Sequence, residues 1–179
     1  YFIFHFLSLK KCCKENPFKF KSVFLSKKMN YAFEVTRNSR NLLQGILNKY
    51  SLEQLNSIPQ GFSNNIIWNV GHIIVVEQLL VYKLSGLSPM ISDEMILKYQ
   101  KGSRPDGNAT AEDLQEIRDM LFATIEKTQA DFNAGIFQNY HEFTNSLGFT
   151  LRSAEEAISF NYFHEATHLG IIMSLIKFV

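Results

Sequence analysis

The chain has 179 residues, enough for one domain with a sizeable core, and its contents of 46% hydrophobic and 20% charged residues are typical of a globular protein. The net charge of +1 conceals a split, since residues 1–28 carry seven lysines and one glutamate whereas residues 29–179 carry 11 basic and 16 acidic side chains. The longer part is mildly acidic, which argues against a nucleic-acid-binding protein.

The first 28 residues differ in composition from the rest of the chain, because they are rich in Phe and Lys and contain both cysteines. Their apolar run, Tyr1–Leu9, is too short to span a membrane, and basic residues follow it rather than precede it as in a signal peptide. We expect that Met29 is the natural start and that residues 1–28 are an upstream, non-native extension outside the fold. A surface anchor with an amphipathic Phe/Lys face and the remnant of a targeting segment are the alternatives.

Residues 29–179 are therefore predicted to form the domain. This part contains no cysteine, which fits a reducing, cytoplasmic location. No segment has 18 or more consecutive apolar residues, so none is predicted to span a membrane.

Four segments of the domain show the 3.6-residue apolar periodicity of amphipathic helices. They cover about residues 30–50, 64–84 and 110–133, and a fourth begins at Ser153. The predicted inward faces are Ala32, Val35, Ser39, Leu42 and Ile46; then Asn65, Trp68, His72, Val75, Leu79 and Tyr82; then Leu114, Ile117, Leu121, Ile125, Thr128 and Phe132; then Ala157, Asn161, His164, His168, Ile171 and Leu175. The pattern predicts an all-α fold, specifically a four-helix bundle.

The connections between these helices are also predicted from the sequence. A turn at residues 57–61 precedes the second helix, and a long crossover at residues 85–109 with a short helix capped by Ser92 follows it. Thr110 with Asp113 and Ser153 with Glu156 form the capping patterns of the last two helices. Residues 142–152 are too polar and Gly-broken for a helix and are expected to be an extended loop.

Three of the five histidines fall on the predicted inward faces: His72 in the second helix, and His164 and His168 in the fourth. His164 and His168 are four residues apart and therefore lie one turn apart on the same face. Burying two imidazoles without partners costs about 1–3 kcal/mol each, and a shared cation removes this cost. We predict that one divalent ion lies between the three histidines, although His72 taken alone is more typical of a hydrogen-bonded core residue. His141 lies in a polar loop and is expected to be solvated.

Residues 164–168 have the sequence His-Glu-Ala-Thr-His, which matches the HExxH pattern of zinc proteases. Only 11 residues follow His168 and none of them is His, Asp or Glu, so the third ligand that a zinc protease places after this pattern is missing. A protease is therefore disfavoured. Glu165 is a candidate to orient a ligand or accept a proton, or else a solvated or interface glutamate. Asn161, one turn before His164, is a candidate for contact with a ligand or substrate, or else a core asparagine bonded to another helix.

Two motifs carry a resemblance to a known family. The first is Trp-Asn-Val-Gly-His-Ile at residues 68–73, preceded by Ile-Pro-Gln-Gly-Phe at residues 58–62, and it resembles the first signature of the DinB/YfiT-like superfamily. The second is His-Glu-Ala-Thr-His-Leu-Gly at residues 164–170, which resembles the second signature of that superfamily. The resemblance covers essentially Met29–Val179. One departure is Ile171, which stands where many relatives have Gln, so the polar contact of that Gln is not expected here.

The resemblance implies a four-helix bundle with an up-down-down-up course that is often dimeric, and it implies that His72, His164 and His168 bind one divalent metal ion. Three neutral histidines suit Zn, Ni or Fe and leave coordination positions open. Characterised relatives include thiol-dependent transferases, so the expected function is a metal-dependent enzyme that activates a small thiol or water for attack on an electrophilic small molecule. A non-catalytic metal-binding or stress-response protein with a structural ion and a metal-dependent hydrolase are the alternatives.

The expected partners follow from the same observations. A small-molecule substrate, with a low-molecular-weight thiol as one expected type, fits the resemblance, and neither nucleic acid nor a membrane is expected. A homodimer is predicted from the resemblance and from Met120 and Phe122, which lie beside the inward face of the third helix and offer surplus apolar surface.

Overall fold

A computed structural model describes the backbone of residues 17–179 and the side chains of residues 29–179. The elements, in chain order, are α1 (Pro17–Lys49), α2 (Leu52–Asn56), α3 (Ile66–Val81), a 3₁₀ turn (Lys83–Ser85), α4 (Asp93–Tyr99), α5 (Ala111–Asn133), β1 (Phe143–Thr144), β2 (Thr150–Leu151) and α6 (Ala154–Leu175). The all-α fold class is confirmed, since the described part contains only this two-stranded sheet beside its helices.

Helix α1 begins earlier than the apolar pattern predicts. It runs without a break from Pro17 through Met29, whereas the predicted start was about residue 30. The predicted exclusion of residues 1–28 from the fold concerns residues 1–16, which lie outside the described residues, and residues 17–28, of which only the helical backbone is described. The domain boundary at Met29 therefore stays a prediction. The Met29 side chain itself is buried in the core.

The capping signals in the sequence mark the helix starts well. Thr110 and Asp113 form a reciprocal capping box at α5, as predicted. The Ser153 hydroxyl accepts the backbone N–H of Glu156 at α6, but the Glu156 carboxylate accepts from the Arg152 N–H instead of closing the box. A cap therefore fixes the start of each of these two helices by accepting a backbone donor that has no partner within the helix.

Helix α3 is the central element of the fold. It packs against α6, α5, α4 and α2, and 14 of its 16 residues are buried, so its composition is apolar on every side rather than on one face. Together with the following turn, Ile66–Ser85 is long and apolar enough to cross a membrane by composition, but 83% of its most apolar window is buried inside the fold. A buried core helix has the same composition.

Helix α1 packs against α5 and α6 through a face that differs from the predicted one. Ala32 is buried as expected, but Leu42, predicted to face inward, is 59% exposed. The observed buried face is Met29, Ala32, Phe33, Thr36, Arg40, Leu43 and Leu47. A hydrophobic pattern places an arginine on the outside of a helix. The predicted inward face of α1 was therefore turned away from Arg40 about the helix axis.

Residues 142–152 are not helical, as predicted, but they form an antiparallel hairpin rather than a plain loop. Phe143 pairs with Leu151 and Thr144 pairs with Thr150. The side chain of Asn145 organises the turn, because its Oδ1 accepts from two backbone N–H groups within the turn at 2.9 and 3.1 Å. The hairpin precedes α6 directly, and its residues line a cavity that also reaches the histidine site described below.

Candidate metal centre

The fold brings together the three histidines that the sequence singles out. His72 comes from α3, and His164 and His168 come from α6. One nitrogen from each ring can be chosen so that all three lie within 4.8 Å of one another, and the ring centroids are 4.6 to 5.3 Å apart. His72 is 6% exposed, and the other two side chains are half-buried. His141 lies apart from this cluster and is exposed, as expected.

The orientation of His72 is fixed by its neighbours on α3 and α4. Its Nδ1 lies 2.6 Å from the backbone oxygen of Tyr99, and because a carbonyl only accepts, Nδ1 carries the proton and donates it. This tautomer leaves the Nε2 lone pair free for an ion. The indole of Trp68 stacks on the imidazole at a centroid distance of 4.7 Å with an interplanar angle of 11°.

Gly71 makes this arrangement possible. A Cβ atom at Gly71 would lie 2.6 Å from Cγ of Tyr99 and 2.7 and 2.8 Å from the two ring carbons beside it, which is well inside van der Waals contact. The missing side chain therefore lets the Tyr99 ring lie directly on α3 and brings the Tyr99 carbonyl to His72. The close packing of Tyr99 against α3 therefore explains why the Trp-Asn-Val-Gly-His motif has a glycine at this position.

His168 is oriented in the same way by Asn69. Its Nδ1 lies 2.8 Å from Oδ1 of Asn69, while Nδ2 of Asn69 donates to the backbone oxygen of Asn65 at 2.7 Å. The bond to Asn65 fixes which end of the amide faces His168, because only the NH₂ end can donate to a carbonyl. The amide oxygen then accepts the Nδ1 proton of His168 and leaves Nε2 free.

His164 differs from the other two histidines. Its Nδ1 is buried and has no hydrogen-bond partner among the described residues. A buried polar nitrogen without a partner is costly, and coordination of an ion by this imidazole is one way to remove that cost.

Burial favours the neutral form of all three rings, and for His164 and His168 the neighbouring histidines add to this effect. Burial, followed by the neighbouring His168 and His72, lowers the pKa of His164 to about 3, and burial with His72 lowers that of His168 to about 4. Burial also lowers the pKa of His72, against the opposing effect of its bond to Tyr99. Neutral imidazole is the form that binds a metal.

These residues fit a divalent ion. Nitrogens bound to zinc lie about 2.0–2.1 Å from it, so two of them are at most about 4.2 Å apart. The ring nitrogens lie within 4.8 Å of one another, so the distance between two of them needs to shorten by only several tenths of an ångström to reach that limit. It needs to shorten by about 1.4 Å to reach the spacing of tetrahedral coordination. Three neutral imidazoles are also the donor set that Zn, Ni and Fe accept.

A cavity reaches the cluster from one side. Its volume is about 470 Å³, and both His72 and His164 line it. Its remaining walls are one side of α3 from Val76 to Leu80, the following 3₁₀ turn, Phe160 of α6, Lys101 and the hairpin. A small molecule in this cavity would meet the two histidines directly.

Glu165 is not the solvated glutamate that the sequence suggested as one of its roles. It is completely buried, and its Oε1 accepts from Nη2 of Arg40 at 2.7 Å and from Nδ2 of Asn161 at 2.8 Å. Arg40 also donates to Thr124 and to the backbone oxygen of Leu121, both at 2.7 Å. Burial raises the pKa of Glu165, while the Arg40 guanidinium opposes that shift.

Asn161 belongs to this same network. It is 1% exposed, bonds to Glu165, and has an Oδ1 that is buried without a partner in the described part of the chain. Two candidate residues are thereby placed beside the histidines on α6 but directed toward Arg40. Glu77 of α3, also buried, completes the group with an oxygen 3.8 Å from Nη2 of Arg40.

Sequence reasoning missed Asn69, Tyr99 and Arg40. Asn69 had a signal, since it is a polar residue within a strongly apolar segment, three positions before His72. Arg40 also had one, because it completes a 3-4-3 spacing with the buried residues Phe33, Thr36 and Leu43. Tyr99 had none, since it acts through a backbone oxygen that every residue has.

The fold and site define a helical protein with a buried three-histidine cluster beside a cavity. The family model of the DinB superfamily matches residues 36–172, which is more than half of the chain and includes all three histidines. The chain therefore belongs to the DinB superfamily, as its motifs indicated. No curated protein matches the chain at a significant level.

Proposed function

We propose that this protein is a metal-dependent enzyme in which His72, His164 and His168 bind one divalent ion, with Zn, Ni or Fe as the candidates. The observation that carries the proposal is the pair of hydrogen bonds from Nδ1 of His72 and of His168 to Tyr99 and Asn69. Each bond fixes the tautomer that leaves Nε2 free, which is how metal-binding histidines are typically supported.

The cavity supports a catalytic rather than a purely structural ion. Structural zinc sites are closed by four protein ligands, whereas catalytic sites have three and keep a position open. Here three histidines lie at the end of a cavity of about 470 Å³ that two of them line. This arrangement favours an enzyme over the non-catalytic alternative.

The proposed reaction is attack of a small thiol, or of water, on an electrophilic small molecule. A divalent ion supplies a lowered pKa for a bound thiol or water and polarises a carbonyl. The chain supplies the rest: Trp68, Tyr99 and Asn69 hold the imidazoles in place, and the apolar cavity wall excludes water from the bound substrate. Glu165 is an unfavourable base because its carboxylate is buried against Arg40.

The first test is metal content. After dialysis against a weak chelator, elemental analysis should find about one ion per chain in the wild type and much less in His72→Ala, His164→Ala and His168→Ala, because each loses one of three ligands. His141→Ala is the matched control and should keep its ion, since this histidine lies outside the cluster. Full occupancy in all three variants would mean that the ion binds elsewhere.

The second test is activity. The metal-loaded protein should accelerate the reaction of a small thiol with a generic aromatic electrophile, and His164→Ala should lose that rate. A rate for ester hydrolysis without any thiol transfer would favour the hydrolase. If metal binds but neither reaction is accelerated and chelation unfolds the protein, the ion is structural.

The proposal includes the helix arrangement that the family implies, a four-helix bundle with an up-down-down-up course. Its support is a set of side-chain neighbours: Arg37 with Gln129 and Leu47 with Arg118 between α1 and α5, Met29 with Ser159 and Arg40 with Glu165 between α1 and α6, and Asn69 with His168 and His72 with His164 between α3 and α6. Residue numbers run in opposite senses in the first and third sets and in the same sense in the second. This pattern fits α1 and α6 pointing up and α3 and α5 pointing down.

We also propose a homodimer, as the resemblance implies, and a cytoplasmic location, which the absence of cysteine from residues 29–179 supports. Met120 and Phe122 support it less than expected, because both pack partly against the core. Better support comes from α6, whose outer face exposes Tyr162, Phe163 and Met173 at 40%, 45% and 55%. Light scattering at micromolar concentration tests the dimer, and a mass of one chain would contradict it.

A further inference from the structure

Two lysines line the cavity beside the histidines, and the proposed reaction does not use them. Lys83, in the 3₁₀ turn after α3, and Lys101, two residues after the end of α4, both line it. They come from separate segments of the chain and border the same cavity. The side chains around them are mainly apolar, for example Leu79, Leu84 and Leu147.

Neither lysine has a carboxylate partner in the described part of the chain. Other lysines do, since Lys98 lies 2.6 Å from Asp113 and Lys127 is paired with Asp131. The residues that line the cavity include no Asp and no Glu. Both lysine side chains are exposed to solvent. They bring positive charge to the border of a largely apolar cavity that has no acidic lining residue to balance it, which favours an anion there.

The position of Lys101 is held by the hairpin. Its Nζ donates to Oγ of Ser146 at 2.9 Å, and Ser146 also lines the cavity. An oxygen of Ser146 is a neutral acceptor, so it positions the ammonium group without neutralising it. The contact joins the hairpin tip to the connection after α4 at the edge of the cavity.

The distance between the two ends of the cavity suggests the shape of its ligand. The cavity is lined at helical spacing along α3 and the following turn by His72, Val76, Leu79 and Lys83. This spacing places Lys83 roughly 16 Å from His72 along the helix axis. A lysine side chain reaches back part of that distance. A molecule that contacts both ends needs an apolar middle to cover the leucines between them.

We propose that this cavity binds a small molecule with an apolar body and an anionic group of the carboxylate class, and that Lys83 and Lys101 bind the anion while the apolar body extends toward His72 and His164. This inference rests on the proposed function, because it identifies the substrate class of the same site. It makes Lys83 and Lys101 specificity-determining residues.

The test is binding of decanoate compared with decanamide, which has the same apolar chain without the charge. Isothermal titration calorimetry on the full chain, with the metal removed by chelation, should show decanoate binding at least about ten-fold more tightly. Lys83→Gln and Lys101→Gln should each weaken decanoate about three- to ten-fold and leave decanamide unchanged. Lys177→Gln, an exposed lysine outside the cavity, is the matched control and should change neither.

The metal-free protein separates this inference from the proposed function. If the protein never takes up metal but binds decanoate in a lysine-dependent way, the inference about the cavity is supported and the metal site is refuted. Equal affinity for decanoate and decanamide, or affinity unaffected by either lysine substitution, would overturn the inference. Decanoate binding that requires zinc and the histidines but not the lysines would also overturn it, because the carboxylate would then bind the ion.

Discussion

Replacement of Gly71 by alanine tests how the central helix supports the histidine cluster. The added methyl would lie 2.6 Å from Cγ of Tyr99, whereas ordinary contact begins near 3.4 Å, so the ring must move by about 0.8 Å. Cγ is close to the backbone, so rotation at the end of the side chain does not relieve the contact. The movement carries the Tyr99 carbonyl away from Nδ1 of His72, which now lies 2.6 Å from it.

Two opposing effects determine how Gly71→Ala changes the free energy of unfolding. Overpacking of a well-packed contact costs about 1–3 kcal/mol, while Gly→Ala in a helix interior gains about 1 kcal/mol. The free energy of unfolding should therefore fall by about 0–2 kcal/mol. Loss of the bond that orients His72 should weaken zinc binding about 10- to 100-fold.

Gly45→Ala is the matched control, because Gly45 is also inside a helix but an added Cβ would meet nothing within 4 Å. It should gain about 1 kcal/mol and leave zinc affinity unchanged. The two variants should then differ in melting temperature by about 2–12 °C, measured by circular dichroism, with zinc affinity measured by competition against a chromophoric chelator. If Gly71→Ala matches Gly45→Ala in both measurements, the close approach of Tyr99 does not support the site.

Three further predictions follow from the contacts around the cluster. Asn69→Leu removes the acceptor for Nδ1 of His168 and should weaken zinc binding about 10- to 100-fold, whereas Asn69→Asp keeps an acceptor and should bind more tightly than Asn69→Leu in the same chelator competition. Arg40→Met leaves buried carboxylates without their cation and should lower the free energy of unfolding by about 3–5 kcal/mol in urea titrations, and adding Glu165→Gln should restore part of that loss. The metal-free protein should lose stability as pH falls below about 6.5, because unfolded histidines bind protons there while folded His168 and His164 resist protonation until pH values of about 4 and 3. Melting curves between pH 7.5 and 4.5 check this, and the same slope in a variant that lacks both histidines would contradict it.

The sequence was sufficient for the features that depend on spacing alone. His164 and His168 are four residues apart, and any α-helix places such residues on one side. The inward face of α5 was also predicted well, with Leu114, Ile117 and Leu121 buried as expected, because that helix has a polar outer face that makes the period visible. The structure adds that His72 lies beside them, which spacing on a separate helix does not establish.

The features that sequence reasoning missed depend on contacts between distant segments. Burial of Arg40 is favourable only because Glu165, 125 positions later, lies 2.7 Å away, and no local pattern contains that partner. The bond from His72 to the Tyr99 carbonyl depends on where α4 packs, which Gly71 permits but does not specify. The inward face of α1 was therefore assigned incorrectly, whereas the three histidines were correctly expected to lie together.

Helix α6 carries the histidines on one face and the buried Glu165 on the adjacent face. This arrangement explains why the HExxH pattern has a different meaning here than in a protease. His164 and His168 face α3, while Glu165, about 80° round the helix from the mean direction of the two histidines, faces Arg40 of α1. A buried ion pair is a demanding contact, since breaking it leaves an uncompensated charge, so it strongly restricts rotation of α6 about its axis. A helix held in that rotation presents both imidazoles to His72. In a zinc protease the glutamate of this pattern acts on water, whereas in this protein the same residue bonds to Arg40 and Asn161.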